Sequence, residues 1–214
     1  MSIVLVIFDT IYILSMNTSK LGFEKTMGDF PKSLPPCQEY LILCFSPGSI
    51  PLRQRWRNNC LSADFLADYF STFFLGDDSQ AETEKQREIN SAVSYIANEL
   101  LENGMKYCVR ESALPISIQI HLIPNTIILQ LTNSISIKQT QSFQAQIDKL
   151  LKANPSEMYL AQLEQNALSE NHARSNLGLL TMLHDYNAKI GWHFKPPAQQ
   201  SEPIAVTTMV QLLI

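Results

Sequence analysis

Two β-branched runs, "ISIQIHLI" (116–123) and "TIILQLTN" (126–133), stand two residues apart. Pro124-Asn125 between them reads as a tight turn, so the pair predicts an antiparallel hairpin. A hairpin this apolar is marginal alone and needs further strands or a covering layer. The remaining sequence supplies both. "EYLILCFSP" reads as a strand ended by Pro47 and Gly48, and "IAVTTMVQLLI" reads as a closing strand. "SADFLADYFSTFFL" reads as a helix capped by Ser62 and stopped at Gly76. A long helix is expected over about 83–108, two amphipathic ones over about 139–153 and about 156–168, and a last one over about 176–188. Asn154-Pro155 divides the amphipathic pair. The expected fold is an α/β two-layer sandwich: a mixed, mostly antiparallel sheet covered on one face by helices.

Composition narrows the function. The chain has 214 residues, 45% of them hydrophobic and 17% charged, which favours a packed core over disorder. Net charge is −4, so no basic surplus exists to neutralise a duplex, and nucleic acid is excluded as a partner. The basic run "RQRWRNN" is too short to change that. It reads as a solvated loop with Trp56 tucked into the core, or as a phosphate or partner contact. Cys37, Cys44, Cys60 and Cys108 form no CxxC, and His121, His172, His184 and His193 show no zinc spacing. Free thiols in a reducing, cytoplasmic setting are expected. "SIVLVIFDTIYIL" is too short to span a membrane, is interrupted by Asp9 and follows no positive residue. It reads as a strand or docking segment within an N-terminal extension, 1–35, ahead of a domain over 36–214. Met16 and Met27 offer later starts.

The long helix carries an unusual edge in "NELLENGMKY". Glu99, Asn103 and Lys106 fall within roughly 60° of arc, beside the apolar stripe of Ile89, Val93, Ile96, Leu100 and Tyr107. Spacing alone leaves two readings open, a solvated edge or the wall of a pocket.

In this order of elements, Glu99, Asn103, Lys106 and Tyr107 resemble the N-box of the GHKL ATPase family, E-x-x-x-N-x-x-K-H/Y. "IILQLTN" falls where that family places its D-x-G-x-G strand, and "ARSNLGLLTML" resembles its later G-x-G-L box. "KIGWHF" and "AVTTMVQLLI" resemble its closing strands. The resemblance covers about 36–214 and implies the Bergerat, histidine-kinase-like ATPase fold with ATP or ADP and Mg²⁺ between helices and sheet. It implies Asn103 as the Mg²⁺ ligand, an amide oxygen being a hard donor. Glu99 becomes the candidate catalytic base, and Lys106 and Tyr107 line the nucleotide. Backbone amides of Ser175, Asn176, Leu177, Gly178 and Leu179 meet phosphate at a helix start, although "SNLG" also reads as an ordinary helix start. Asn133 takes the adenine-reading position, and Thr207 joins the cofactor-binding set.

Departures from the pattern matter. Asn133 replaces the family's aspartate, and Ser134 and Ser136 replace two glycines. No glycine lies between Gly104 and Gly178, where the family's mobile lid is glycine-rich. Slow hydrolysis is therefore expected. With no dimerising phospho-acceptor helix and no transducer domain in the chain, it resembles most the anti-sigma-factor serine kinases and SiaB-type kinases. That implies a serine/threonine kinase or nucleotide switch in signal transduction, controlling a small STAS-domain partner near "SENHARSN", and leaves homodimerisation open. The alternative is a catalytically silent module holding FAD as a flavin sensor, with Trp56, Trp192 or Tyr107 against the ring.

Overall fold

The computed structural model describes residues 24–37, 39–48, 52–74, 80–168, 177–197 and 202–214. Six strands form one sheet: β1 (Lys25–Gly28), β2 (Glu39–Phe45), β3 (Ile116–Ile123), β4 (Thr126–Ile135), β5 (Lys189–Lys195) and β6 (Ile204–Leu213). Their order is β1-β5-β6-β4-β3-β2, and every pairing is antiparallel. Five helices accompany it: α1 (Leu52–Ser71), α2 (Gln80–Tyr107), α3 (Ile137–Lys152), α4 (Pro155–Leu168) and α5 (Leu177–His184). This is the two-layer α/β sandwich expected, with a sheet antiparallel throughout its described pairs.

The hairpin β3–β4 closes with Ile123 opposite Thr126. Asn125 takes φ 57°, a left-handed conformation that asparagine tolerates and proline cannot adopt. Alternation then sorts the side chains between the two faces. Ile116, Ile118, Ile120 and Leu122 of β3 are buried, as are Ile127, Leu129 and Leu131 of β4. Gly104 of α2 lies on Leu131, and Phe143 of α3 packs its ring against Trp192 and Phe194 of β5. These contacts identify the helix-covered face.

Three sequence expectations are corrected. Residues 25–28, assigned to the N-terminal extension, form edge strand β1, and Met27 is buried opposite Trp192. The sheet therefore begins ahead of the boundary expected at residue 36. The chain then crosses the other face: Asp29 N–H donates to Ile190 O, and Gln211 Nε2 donates to Asp29 O. Gly191 is required there, because a Cβ would come within 2.5 Å of the Asp29 carbonyl carbon. Second, α1 starts ten residues before Ser62, which is no cap; its hydroxyl donates back to Asn58 O. "RQRWRNN" thus belongs to a helix, whose buried stripe runs Asn59, Ala63, Leu66, Ala67 and Phe70. The Trp56 side chain lies outside the described residues. Third, α5 stops at His184, and Asn187 turns the chain at φ 47°. The segment 1–23 and the stretch 169–176, with Ser175 and Asn176, also lie outside the described residues. Among the described residues, no helix is long and apolar enough to cross a membrane.

Candidate functional site

The site grows from the last turns of α2. On a helix, Asn103 and Tyr107 project within about 20° of Ile96, on either side of it. Ile96 is 0% and Leu100 2% exposed, as core positions should be. Tyr107 is nevertheless 45% exposed, and Asn103 is half-buried. Core-facing positions open to solvent mean that the last turns of α2 overhang the sheet without being covered as its earlier turns are. Two contacts hold the overhang in place. Gly104 rests on Leu131, and Val109 after the helix donates its N–H to Ser134 O at 3.0 Å.

Below the overhang lies Asn133, 5% exposed on the helix-facing side of β4. Among the described residues, no side-chain hydrogen bond satisfies its amide. Its amide atoms are not sealed from solvent, so they keep access to water or to a ligand entering from that side. Lys106 stands at the rim, exposed, with Nζ 5.2 Å from the centroid of the Tyr107 ring.

The α5 flank of α2 carries the rest. Ser91, Tyr95 and Glu99 repeat every four residues and meet α5 and the turn after it. Tyr95 packs its ring 5.4 Å from that of Tyr186, with Ser91 and Thr181 beside the two hydroxyls, and Glu99 lies on Gly178. A Cβ on Gly178 would fall inside the Glu99 carboxylate. Burial pushes the Glu99 carboxyl above its ordinary range, and the nearby Glu102 charge adds to the rise. Burial likewise raises the Tyr95 hydroxyl. Leu177 and Leu179 flank Gly178 in the first turn of α5, both half-buried.

Thus Glu99 and Gly178 touch, and Asn103 and Tyr107 lie on the solvent-open end of α2 on the side of the sheet face that carries Asn133. Thr207 stands apart: its hydroxyl bonds Thr132 at 2.8 Å on the face of the sheet away from the helices. Thr208 is the helix-facing residue, buried opposite Leu131 and diagonal to Asn133. A one-residue step along a strand exchanges faces, and "VTTM" in the sequence does not say which threonine points inward. Trp192 is fully buried against Phe143, which makes it core and not a platform for a bound ring. Among the described residues, no three His, Cys, Asp or Glu side chains gather as a metal cluster.

No family model matches the chain, and no curated protein matches it in sequence. A chain in the crystal structure of the SiaB-SiaC complex from Pseudomonas aeruginosa is similar to it, with a TM-score of 0.51 and 14% identity. The similarity spans 81% of this chain and 89% of that one. At that identity it shows a shared fold.

Proposed function

We propose that the protein is an adenine-nucleotide-binding regulatory switch of the GHKL type, which grips a signalling partner and turns over slowly or not at all alone. The observation that carries this reading is the overhang of α2. It sets Glu99, Asn103 and Tyr107 toward the sheet face that carries the Asn133 amide, with α5 starting at Glu99. An amide can both donate to and accept from a purine edge. In this reading Mg²⁺ would come in on phosphate oxygens and water, with Asn103 as the protein ligand. When bound, the ion supplies neutralisation of phosphate charge. Lys106 adds a second positive group at the rim. Glu99, whose carboxyl pKa burial raises, would orient or accept the proton of a partner's serine hydroxyl in this reading.

The partner side of the reading rests on the shared fold with a chain that was solved in a SiaB-SiaC complex. A small STAS-type protein is the partner proposed. Two regular helices, α3 and α4, occupy the stretch where a flexible lid would otherwise lie, which supports holding over turnover. The test is to release bound small molecules by heat and to assay ATP hydrolysis without a partner. An adenine nucleotide with slow hydrolysis is expected. Visible flavin absorbance in the released fraction would replace the nucleotide by FAD, and fast partner-free hydrolysis would refute the switch.

A further inference from the structure

α4 is a capped helix that turns leucines outward. Asn154 Oδ1 accepts from the backbone N–H of Ser156 at 2.9 Å and of Glu157 at 3.4 Å, which fixes its start. Yet none of its described side chains is buried. Leu160, Leu163 and Ala167 lie within roughly 60° of arc on the outward side. Leu160 is 58% and Leu163 39% exposed. The inward side carries Met158, Tyr159, Gln162 and Asn166, half-buried. Tyr159 stacks on His184 of α5 at 4.6 Å and 10°, and Gln162 Nε2 donates to Asn166 Oδ1 at 3.0 Å. α5 is the element against which α4 packs. Two leucines stand outward while two amides share the inner face with Met158 and Tyr159, so the outer stripe is more apolar than a solvated surface needs.

Charge selects what covers the leucines. The acids of α4 are Glu157 and Glu164, both exposed along one border of the stripe, and its sequence has no base. An antiparallel pair of α4 helices from two copies would gather carboxylates around one seam with no cation from either helix. Anionic lipid surfaces and nucleic acids attract lysine and arginine, which α4 lacks. We propose that the outward face of α4 is the docking surface for a protein partner whose groove is apolar at its centre and basic at its rim. This deepens the partner half of the function above, and rests on that reading only for how the contact is regulated. α4 sits on α5, and α5 starts on Glu99, so what binds beside Glu99 biases the position of α4.

The experiment places the photo-cross-linker p-benzoyl-phenylalanine at position 163 of the full chain in its native cells, with position 61 on α1, a still more exposed leucine, as the control. Cross-linked peptides are mapped by mass spectrometry. Position 163 is expected to capture one peptide that combines apolar residues with lysine or arginine, and position 61 is not. Glu157→Lys with Glu164→Lys should cut the yield about tenfold, since attraction becomes repulsion. Because α4 buries no described side chain, circular dichroism should show the doubly substituted chain folded. Capture of a second copy, of lipid or of peptides without basic residues would overturn the proposal, as would no capture or a yield indifferent to the charge reversal. The nucleotide reading fails separately: the same peptide would then be captured, with a yield that Asn103→Ala does not change. If docking alone fails, calorimetry still shows nucleotide binding while position 163 captures nothing of this kind.

Discussion

Replacing Gly178 by alanine probes the contact between α5 and Glu99. Gly178 is the second residue of α5, and alanine inside a helix is favoured over glycine by up to about 1 kcal/mol. Against this, the new Cβ would land on Glu99 Oε2 and only 2.9 Å from its Cδ. Those atoms are the far end of a flexible side chain, so the neighbour yields by rotating away. An imperfect rotamer costs about 0.5–1.5 kcal/mol, and a carboxylate moving outward regains hydration. The opposing terms nearly cancel, and the unfolding free energy should change by less than about 1 kcal/mol. The Glu99 carboxyl should change far more. Burial is the first cause of its raised pKa, so displacement returns it toward the ordinary 4.5. Urea denaturation measures the first quantity, and ¹³C NMR titration of the labelled glutamate carboxyl the second. An unmoved Glu99 titration in a stably folded variant would show that the carboxylate does not rest on Gly178. A loss above about 3 kcal/mol would place the α2–α5 contact in the rigid core instead of a yielding pocket wall.

Gly104→Ala should behave oppositely. Its Cβ would enter the Leu131 side chain, which is 2% exposed and has nowhere to go, so overpacking of about 1–3 kcal/mol should outweigh the helix gain and lower the thermal midpoint. Glu99→Gln should stabilise the fold at pH 7, because a carboxyl whose folded pKa is raised loses stability as pH rises through that pKa; the gain should vanish below the unfolded value near 4.5 in paired urea titrations. Asn133→Asp should preserve or strengthen ADP binding by supplying a charged acceptor, at some cost in stability from burying a carboxylate. A weakened response with ADP and FAD alike would indicate a rebuilt site, and no response to either would remove Asn133 from the adenine position.

What the sequence disclosed follows from how local its signals are. β2, the β3–β4 hairpin and β6 were legible because Pro47-Gly48, Pro124-Asn125 and long β-branched runs mark them. α2 was legible because its apolar stripe continues over about five turns, and the edge of Glu99, Asn103 and Lys106 came with it. β1 was not, because "KTMG" is four residues without alternation, held as a strand only by its pairing with β5. The start of α1 was missed because Ser62 resembles a cap, while its hydroxyl in fact bonds the previous turn. The choice between Thr207 and Thr208 depends on strand register, which two consecutive threonines conceal until β4 is paired with β6. Exposure under the end of α2 is likewise a tertiary property. Tyr107 continues the apolar stripe in sequence, and only the placement of the sheet reveals that it is left uncovered.

The central claim is that Asn103 holds a nucleotide at that open end of α2. Isothermal titration of ADP and Mg²⁺ into the wild-type chain and into Asn103→Ala tests it most directly. Loss of one hard ligand and its charge-assisted contact should weaken binding by roughly 1.5–3 kcal/mol, about ten- to a hundredfold, with circular dichroism unchanged. Equal affinity in the two folded proteins, or no binding by the wild type after its own ligand has been removed, would contradict the account.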